Sequence, residues 1–335
     1  MRRGSPLLLP ASGLALLLAM AAGVLWGTAD ISWGDRLAIL MHDDDAPRGL
    51  SMIVWQWRIP RVLAVGMIGA GLTLAGLLMQ TALRNPMADP YLMGVSSGAS
   101  AAAVGAIIWF PSQMTETLGV PLIAFLGAAA AFLMTLTLSH RRGRALDPLV
   151  VILAGVAVSL MFQALTAFFL YVGDPHATRN AMGWLMGTAA GTDWEELPLL
   201  GTILALSLVL ALRASSKLDA TLLGDERAQS LGVNVGRMRL LVFFVTIALT
   251  GVAVSIAGIV GFVGLILPHM ARLLVGARHR VLIPQAAILG AITLILVDLA
   301  CRVVLAPEEL PLGVLLALLA APPFIYILRG MAHAR

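Results

Sequence analysis

Apolar runs of about 20 residues recur along the whole of this 335-residue chain, parted by short polar stretches, and that spacing constrains the fold more than any motif does. A helix needs about 20 predominantly apolar residues to cross a bilayer, and only helices or closed barrels satisfy their backbone there. The rule predicts spans near 7–27, 60–82, 92–110, 119–139, 149–171, 196–213, 239–258, 261–275, 282–304 and 311–328. The expected fold class is therefore an all-α polytopic membrane protein of about ten transmembrane helices, with 1–335 as one domain. Between 238 and 275 the apolar run is broken by Gly251, Gly258, Gly261 and Gly264, and its second half carries Pro268 and His269. A tightly turned pair of helices is expected there.

The chain opens Met-Arg-Arg-Gly before the apolar run Leu7 to Trp26, and Ala19-Met20-Ala21 resembles a signal cleavage site. That run exceeds the roughly 7–15 residues of a signal core, so an uncleaved first span is expected. Charged residues are only 12% of the chain, against roughly 25% in a soluble domain. A formal charge of +4 invites a nucleic-acid reading, but the basic residues are scattered through short loops. They report topology, with membrane lipid and not nucleic acid as the partner. With the N-terminus inside, 16 of the 22 Lys and Arg fall on the inner side, leaving Arg36, Arg48, Arg58, Arg61, Arg179 and Arg302 outside. The asymmetry places both termini in the cytoplasm.

Catalysis finds little support. No metalloprotease histidine pair or serine elbow is present, so no catalytic residue and no metal site is expected. His42 with Asp43, Asp44 and Asp45 has metal-binding groups, but adjacent carboxylates in an outer loop are usually solvated. His269 in its apolar setting reads first as a packing residue. Ion-driven carriers keep ionisable groups at bilayer depth; here Asp298 is the best candidate, and Arg302 one helical turn on accounts for it as an ion pair. A phosphate-binding loop needs Gly-Lys-Ser or Gly-Lys-Thr, whereas the only lysine, Lys217, follows Ser216. Any ATPase must be another polypeptide. Cys301 is the only cysteine, which excludes an intrachain disulfide.

Three stretches remain. The polar segment 213–239 lies in water on the cytoplasmic face. Ser216 with Asp219 resembles a capping box, Gly224 a stop, and Asp225 a cap for a second short helix, Glu226–Leu231, ended by Gly232. Helices this short need a partner surface, so the segment is either a solvated loop or a docking element for a soluble protein. Arg58, Arg61 and Arg302 lie at the outer ends of spans, either snorkelling or forming a basic platform for an acidic partner. The stretch Gln80–Ser100 contains Asn85, Pro86 and Pro90, then Gly94, Ser97 and Gly98. Its prolines forbid a continuous helix and its small residues permit close approach, which fits tight packing or a hinge beside a pathway.

Together these stretches resemble the FecCD-type permeases of ABC importers for iron-siderophores, haem and vitamin B12. The resemblance rests on Arg-Ile-Pro-Arg at 58–61, Gly-Ala-Gly-Leu-Thr-Leu-Ala-Gly at 69–76, and Gln80 with Arg-Asn-Pro-Met-Ala-Asp-Pro at 84–90. It continues through Gly-Val-Ser-Ser-Gly-Ala at 94–99, Trp-Leu-Met-Gly-Thr at 184–188 and Leu-Gly-Asp-Glu-Arg-Ala-Gln-Ser-Leu-Gly-Val at 223–233. Gly-Phe-Val-Gly-Leu-Ile-Leu-Pro-His-Met-Ala-Arg at 261–272, Asp-Leu-Ala-Cys-Arg at 298–302 and Glu-Leu-Pro-Leu-Gly at 309–313 complete it. It implies ten spans, a second permease copy or paralogue, two cytoplasmic ATP-binding subunits and an extracytoplasmic substrate-binding protein, all at a bacterial cytoplasmic (inner) membrane. ATP and magnesium would sit on the partner ATPase, with no cofactor on this chain. Asp225, Glu226, Arg227, Ala228, Gln229, Ser230 and Leu231 would form the coupling helix, and Arg58, Arg61 and Arg302 the docking platform. Gln80, Asn85, Pro86, Gly94, Ser97, Gly98, Pro268 and His269 are the hinge or pathway candidates. The segment 173–188 is closer to siderophore permeases than to haem or vitamin B12 ones. Near the last span the family pattern of Gly-Ala-Pro, an apolar residue and Phe meets Ala320, Ala321, Pro322, Pro323 and Phe324 here, which leaves the inner end of that span open.

Overall fold

The computed structural model describes residues 8–29, 31–41, 47–110, 119–140 and 147–333, with side chains for all of these except 40 and 326–333. The acidic run His42–Asp45 and the inner arginines 2, 3, 141, 142, 144 and 335 lie outside the described residues, as does the side chain of Arg329.

Every regular element among the described residues is helical. In chain order these are α1 (Leu8–Leu25), α2 (Trp33–Leu40) and α3 (Arg48–Met52), which runs through a π-helical turn (Ile53–Arg58) into α4 (Ile59–Ala82). A 3₁₀ turn (Pro90–Met93) leads into α5 (Val95–Trp109), followed by α6 (Val120–Ser139), α7 (Pro148–Val172), α8 (Pro175–Leu185) and α9 (Leu197–Arg213). The cytoplasmic pieces expected around Gly224 are α10 (Ser215–Thr221) and α11 (Asp225–Ser230). The chain ends with α12 (Val235–Ala257), α13 (Val263–Val275), α14 (His279–Val303) and α15 (Leu312–His333).

Among the described residues six helices are long and apolar enough to cross a membrane: α1, the joined α3–α4, α6, α7, α12 and α14. A seventh is made by α9 and α10 together, bent by 62°. The expected spans at 92–110, 261–275 and 311–328 hold apolar helices that are shorter, Val95–Trp109, Val263–Val275 and Leu312–Ile325. Length alone therefore does not reach ten. The shortening has local causes: Pro90 diverts residues 90–93 into a 3₁₀ turn, and the turn at 258–262 uses up the start of the second helix of the expected pair. The helix α15 runs on through Pro322 and Pro323, and Phe324 stacks edge-on against Phe262 with ring centroids 6.2 Å apart.

The hub is α4. Of the most apolar stretch of α3–α4, 89% is buried, against 11% for α1 and 17% for α7. Among the described residues α4 packs chiefly on α9, α12, α13 and α14, with smaller contacts to α1 and α10, and α1 packs chiefly on α14. In water such a helix would be held by apolar burial, but lipid is as apolar as leucine, so close backbone approach must supply the attraction. Two crossings show it. A β-carbon on Gly76 would run into the backbone of Gly264 on α13, and one on Gly69 into the carbonyl of Gly290 on α14.

Gly76→Val is expected to fail at this crossing. Overpacking of this kind costs about 1–3 kcal/mol or more, so the purified variant should unfold several degrees lower or not be recovered in monodisperse form. Gly13→Ala, where a β-carbon meets nothing within 4 Å, should match the parent in the same thermal scan.

Candidate functional site

The two short helices α10 and α11 are built differently from the capping pattern in their sequence. Ser216 caps nothing, because α9 passes into α10 with only Ala214 between them. Asp219 instead accepts from the His279 backbone N–H at 3.0 Å and lies 2.7 Å from Nδ1 of the same residue. The other ring nitrogen, Nε2, is 2.9 Å from Thr81 Oγ1 on α4. His279 is thus a buried tie between α10, α14 and α4, and no local pattern around it marks it out.

Asp225 does not cap α11 either; Gly224 holds that position with φ +105°. The Asp225 carboxylate faces two arginines, Arg84 Nη2 at 2.9 Å and Arg239 Nη2 at 3.0 Å. Arg239 is buried and also donates through Nε to the Ala82 carbonyl at 3.3 Å. At the far end, Gly232 N–H donates to Gln229 O and Val233 N–H to Ala228 O, both at 2.9 Å. These are the paired bonds of a Schellman stop, with glycine in the left-handed region. Ala228 is fully buried against Val233 and Val235, so α11 has one seated face. Its other face is open: Glu226, Arg227, Gln229, Ser230 and Leu231 are exposed, and Leu222 and Leu223 project beside them.

The hinge candidates fall into two groups. Gln80 donates from Nε2 to the carbonyls of Gly264 and Leu265 at 3.3 and 3.0 Å, bonding α4 to the first turn of α13. A crevice of about 270 Å³ brings Gln80, Asn85 and Pro86 together with Leu222, between α10 and α11, and Arg272 of α13. Asn85 Oδ1 accepts from Met87 N–H at 2.9 Å, shaping the turn. Pro268 is buried inside α13, and His269 beside it is half-buried with no hydrogen bond among the described residues. Gly94 and Gly98 lie elsewhere. Gly94, at φ +84°, ends the 3₁₀ turn and opens α5, Ser97 Oγ donates to its carbonyl at 3.0 Å, and Gly98 abuts Gly127 of α6. Loop 83–94 is pinned to the start of α13 through Tyr91, whose hydroxyl donates to Val260 O at 2.9 Å. Burial pushes the nearby Asp89 carboxyl up to about 6 against a single N–H bond from Tyr91.

The three arginines expected to form a docking platform are turned inward in this chain. Arg58, Arg61 and Arg302 are all buried. Arg58 donates to the carbonyls of Val24, Leu25 and Ala29, and Arg302 to those of Gly23 and Trp26. A helix leaves its last carbonyls without intrahelical partners, and these two guanidiniums supply partners for those of Gly23, Val24 and Leu25 at the C-terminal end of α1. Arg61 lies between carboxylates, 2.8 Å from Asp298 Oδ1 and 2.8 Å from Glu309 Oε2. Asp298 in turn pairs with Arg302 Nε at 3.1 Å, the ion pair its spacing implied. Nearby, the 184–188, 257 and 309–313 stretches are stitched together by backbone bonds from Thr188 to Ala257, Leu312 to Gly187 and Gly313 to Met186.

A model of the FecCD transport family matches residues 15–330. The chain belongs to that family. This FecCD chain is 36% identical over 318 residues to the Fe(3+) dicitrate transport system permease protein FecD of Escherichia coli (strain K12), covering 95% of this chain and 96% of that one. It is 37% identical over 316 residues to the vitamin B12 import system permease protein BtuC of Escherichia coli O127:H6, covering 94% and 91%. A solved inward-facing ABC transporter described as of metal-chelate type superposes with a TM-score of 0.85 at 29% identity, over 97% of this chain and 100% of that one. The FecCD chain is a permease subunit of an ABC importer.

Two outcomes follow. Asp298→Asn leaves Arg61 and Arg302 without their shared buried anion and should cost about 3–5 kcal/mol, whereas Glu309→Gln, at the wetter end, should cost about 1 or less. Equal shifts in thermal unfolding would remove this ranking. Because its folded pKa is raised, Asp89 subtracts stability as the pH climbs from the ordinary aspartate range through about 6. Asp89→Asn should flatten that part of a profile of unfolding temperature against pH.

Proposed function

We propose that the chain forms the translocation path for a ferric siderophore in the bacterial cytoplasmic membrane, with both termini in the cytoplasm and ten helices crossing. On this reading α11 is the coupling helix. The observation that carries it is the geometry of that helix: one face is seated on Arg84, Arg239 and a small apolar core, and the other is exposed and mixed, with Leu222, Leu223 and Leu231 beside Glu226 and Arg227. An exposed apolar patch on a water-facing helix fits a protein partner. That partner is a cytoplasmic ATP-binding subunit, one for this chain and one for a second permease copy or paralogue. ATP and magnesium belong to those subunits.

An extracytoplasmic substrate-binding protein completes the machine. Since Arg58, Arg61 and Arg302 are occupied inside the chain, its acidic groups would meet the exposed Arg48 and Arg179 instead. Charge complementarity there would govern encounter and register more than affinity.

For the cargo, support comes from the iron-dicitrate relative and from the 173–188 segment, where Asp174 caps α8 by accepting from His176 and Ala177 N–H. The vitamin B12 relative matches as closely, so haem or vitamin B12 is the second reading. An ion-driven secondary transporter is the reading of another class; Asp298, its best candidate for an ion site, is already paired with Arg61 and Arg302.

Uptake by a strain lacking only this chain, with labelled ferric siderophore, haem and vitamin B12 as separate arms, tests the reading. Loss in the siderophore arm alone is expected. Glu226→Arg with Leu231→Asp, on the open face of α11, should leave the chain folded in the membrane, reduce copurified ATPase at least about tenfold and abolish uptake. Normal uptake by that variant would remove the coupling assignment, and uptake that survives loss of the ATPase but not of the ion gradient would favour the carrier.

A further inference from the structure

Two hollows lie along the seam between α9 and α14, and nothing in the transport reading uses them. At the cytoplasmic end is an open crevice of about 680 Å³ bordered by Arg213, Arg278 and Arg280, with Leu212 and Pro284 on its apolar edge. None of the three guanidiniums has a hydrogen bond or ion pair among the described residues. The carboxylate at this crevice, Asp219, is already held by His279 at 2.7 Å. The crevice therefore sets three guanidiniums against one carboxylate, a cradle that is cationic on balance.

Toward the bilayer centre the same seam holds an apolar slot of about 280 Å³. Met20 of α1 and Leu204 of α9 form its sides. Its floor is Gly66 and Ala70 of α4 with Ala287 and Ala291 of α14, small residues whose spacing leaves a channel that larger side chains would fill. Leu204 and Leu212 are eight residues apart on α9, and Pro284 and Ala287 three apart on α14. At 1.5 Å per residue the hollows are offset by about 5–12 Å along the helices. One leaflet's hydrocarbon is about 15 Å deep, so a lipid with its phosphate in the cradle lays an acyl chain across the slot.

We propose that this seam is a binding site for an anionic phospholipid, with its phosphate on Arg213, Arg278 and Arg280 and one acyl chain in the slot. Basic pockets between helices at the cytoplasmic side suit such headgroups, each cation near the surface adding attraction. Guanidiniums present paired donors to phosphate oxygens. A soluble anion or an acidic protein surface would use the cradle and leave the slot idle. The inference needs only a chain that spans a bilayer, and it stands whatever the cargo is.

Native mass spectrometry of the full chain, purified in nonionic detergent and offered phosphatidylglycerol or phosphatidylcholine, tests it. One phosphatidylglycerol should be retained about tenfold more tightly than phosphatidylcholine. The double variant Arg278→Gln with Arg280→Gln should lose that preference, and Leu204→Trp, on the rim of the slot, should weaken retention while the headgroup preference remains. Size-exclusion profiles check that the variants are folded. Equal retention of the two lipids, or full displacement by millimolar inorganic phosphate, would overturn the proposal. So would arginine variants that lose copurified ATPase while holding lipid as before, because the cradle would then be a protein contact. Uptake of every cargo could fail without touching this result.

Discussion

The bundle depends on backbone contact at α4. A membrane helix buried on every side cannot be held by exclusion of water, because its surroundings are no more polar than its neighbours. What holds α4 is the near approach of its backbone to those of α13 and α14 at Gly76 and Gly69, where no β-carbon fits. Gln80, one turn beyond Gly76, adds hydrogen bonds to the carbonyls of Gly264 and Leu265. Packing and polar attachment thus act on the same pair of helices, α4 and α13, within a few residues of each other. Pro268, whose missing N–H weakens the helix interior, lies just past that attachment.

Charge is handled differently at the two ends. Where α1 ends and α4 begins, arginines are drawn into the fold to satisfy the terminal carbonyls of α1 and the buried carboxylate Asp298. At the opposite end, arginines are split between internal ties, such as Arg84 and Arg239 on Asp225, and a set left facing outward on α9 and at the start of α14. The first arrangement stabilises the mouth of the bundle. The second leaves charge available to whatever lies beside the protein.

Spans were legible because hydropathy over 20 residues integrates many small terms, and the break between α12 and α13 was legible because glycine clusters there. The partner of a charge was not. Arg61 meets Asp298 at a sequence separation of 237, and nothing local in Arg-Ile-Pro-Arg distinguishes an outward cation from an inward one. Capping failed for a related reason: Ser216 and Asp225 have the chemistry of caps, but α9 enters α10 directly, and the buried Arg239 with the exposed Arg84 takes the Asp225 carboxylate in place of backbone N–H groups. The pair Asp298–Arg302 was readable because i and i+4 share a helix face. Motif order carried the family, whereas geometry was needed to separate the seated face of α11 from the open one.

Asp225 has a consequence beyond anchoring. Its single carboxylate is shared by Arg84, just past the end of α4, and Arg239, in the first turns of α12. A displacement of α11 is therefore delivered to both helices in common mode: they are drawn the same way by the same two oxygens, and the difference between their motions stays small. The node passes translation and filters out splay.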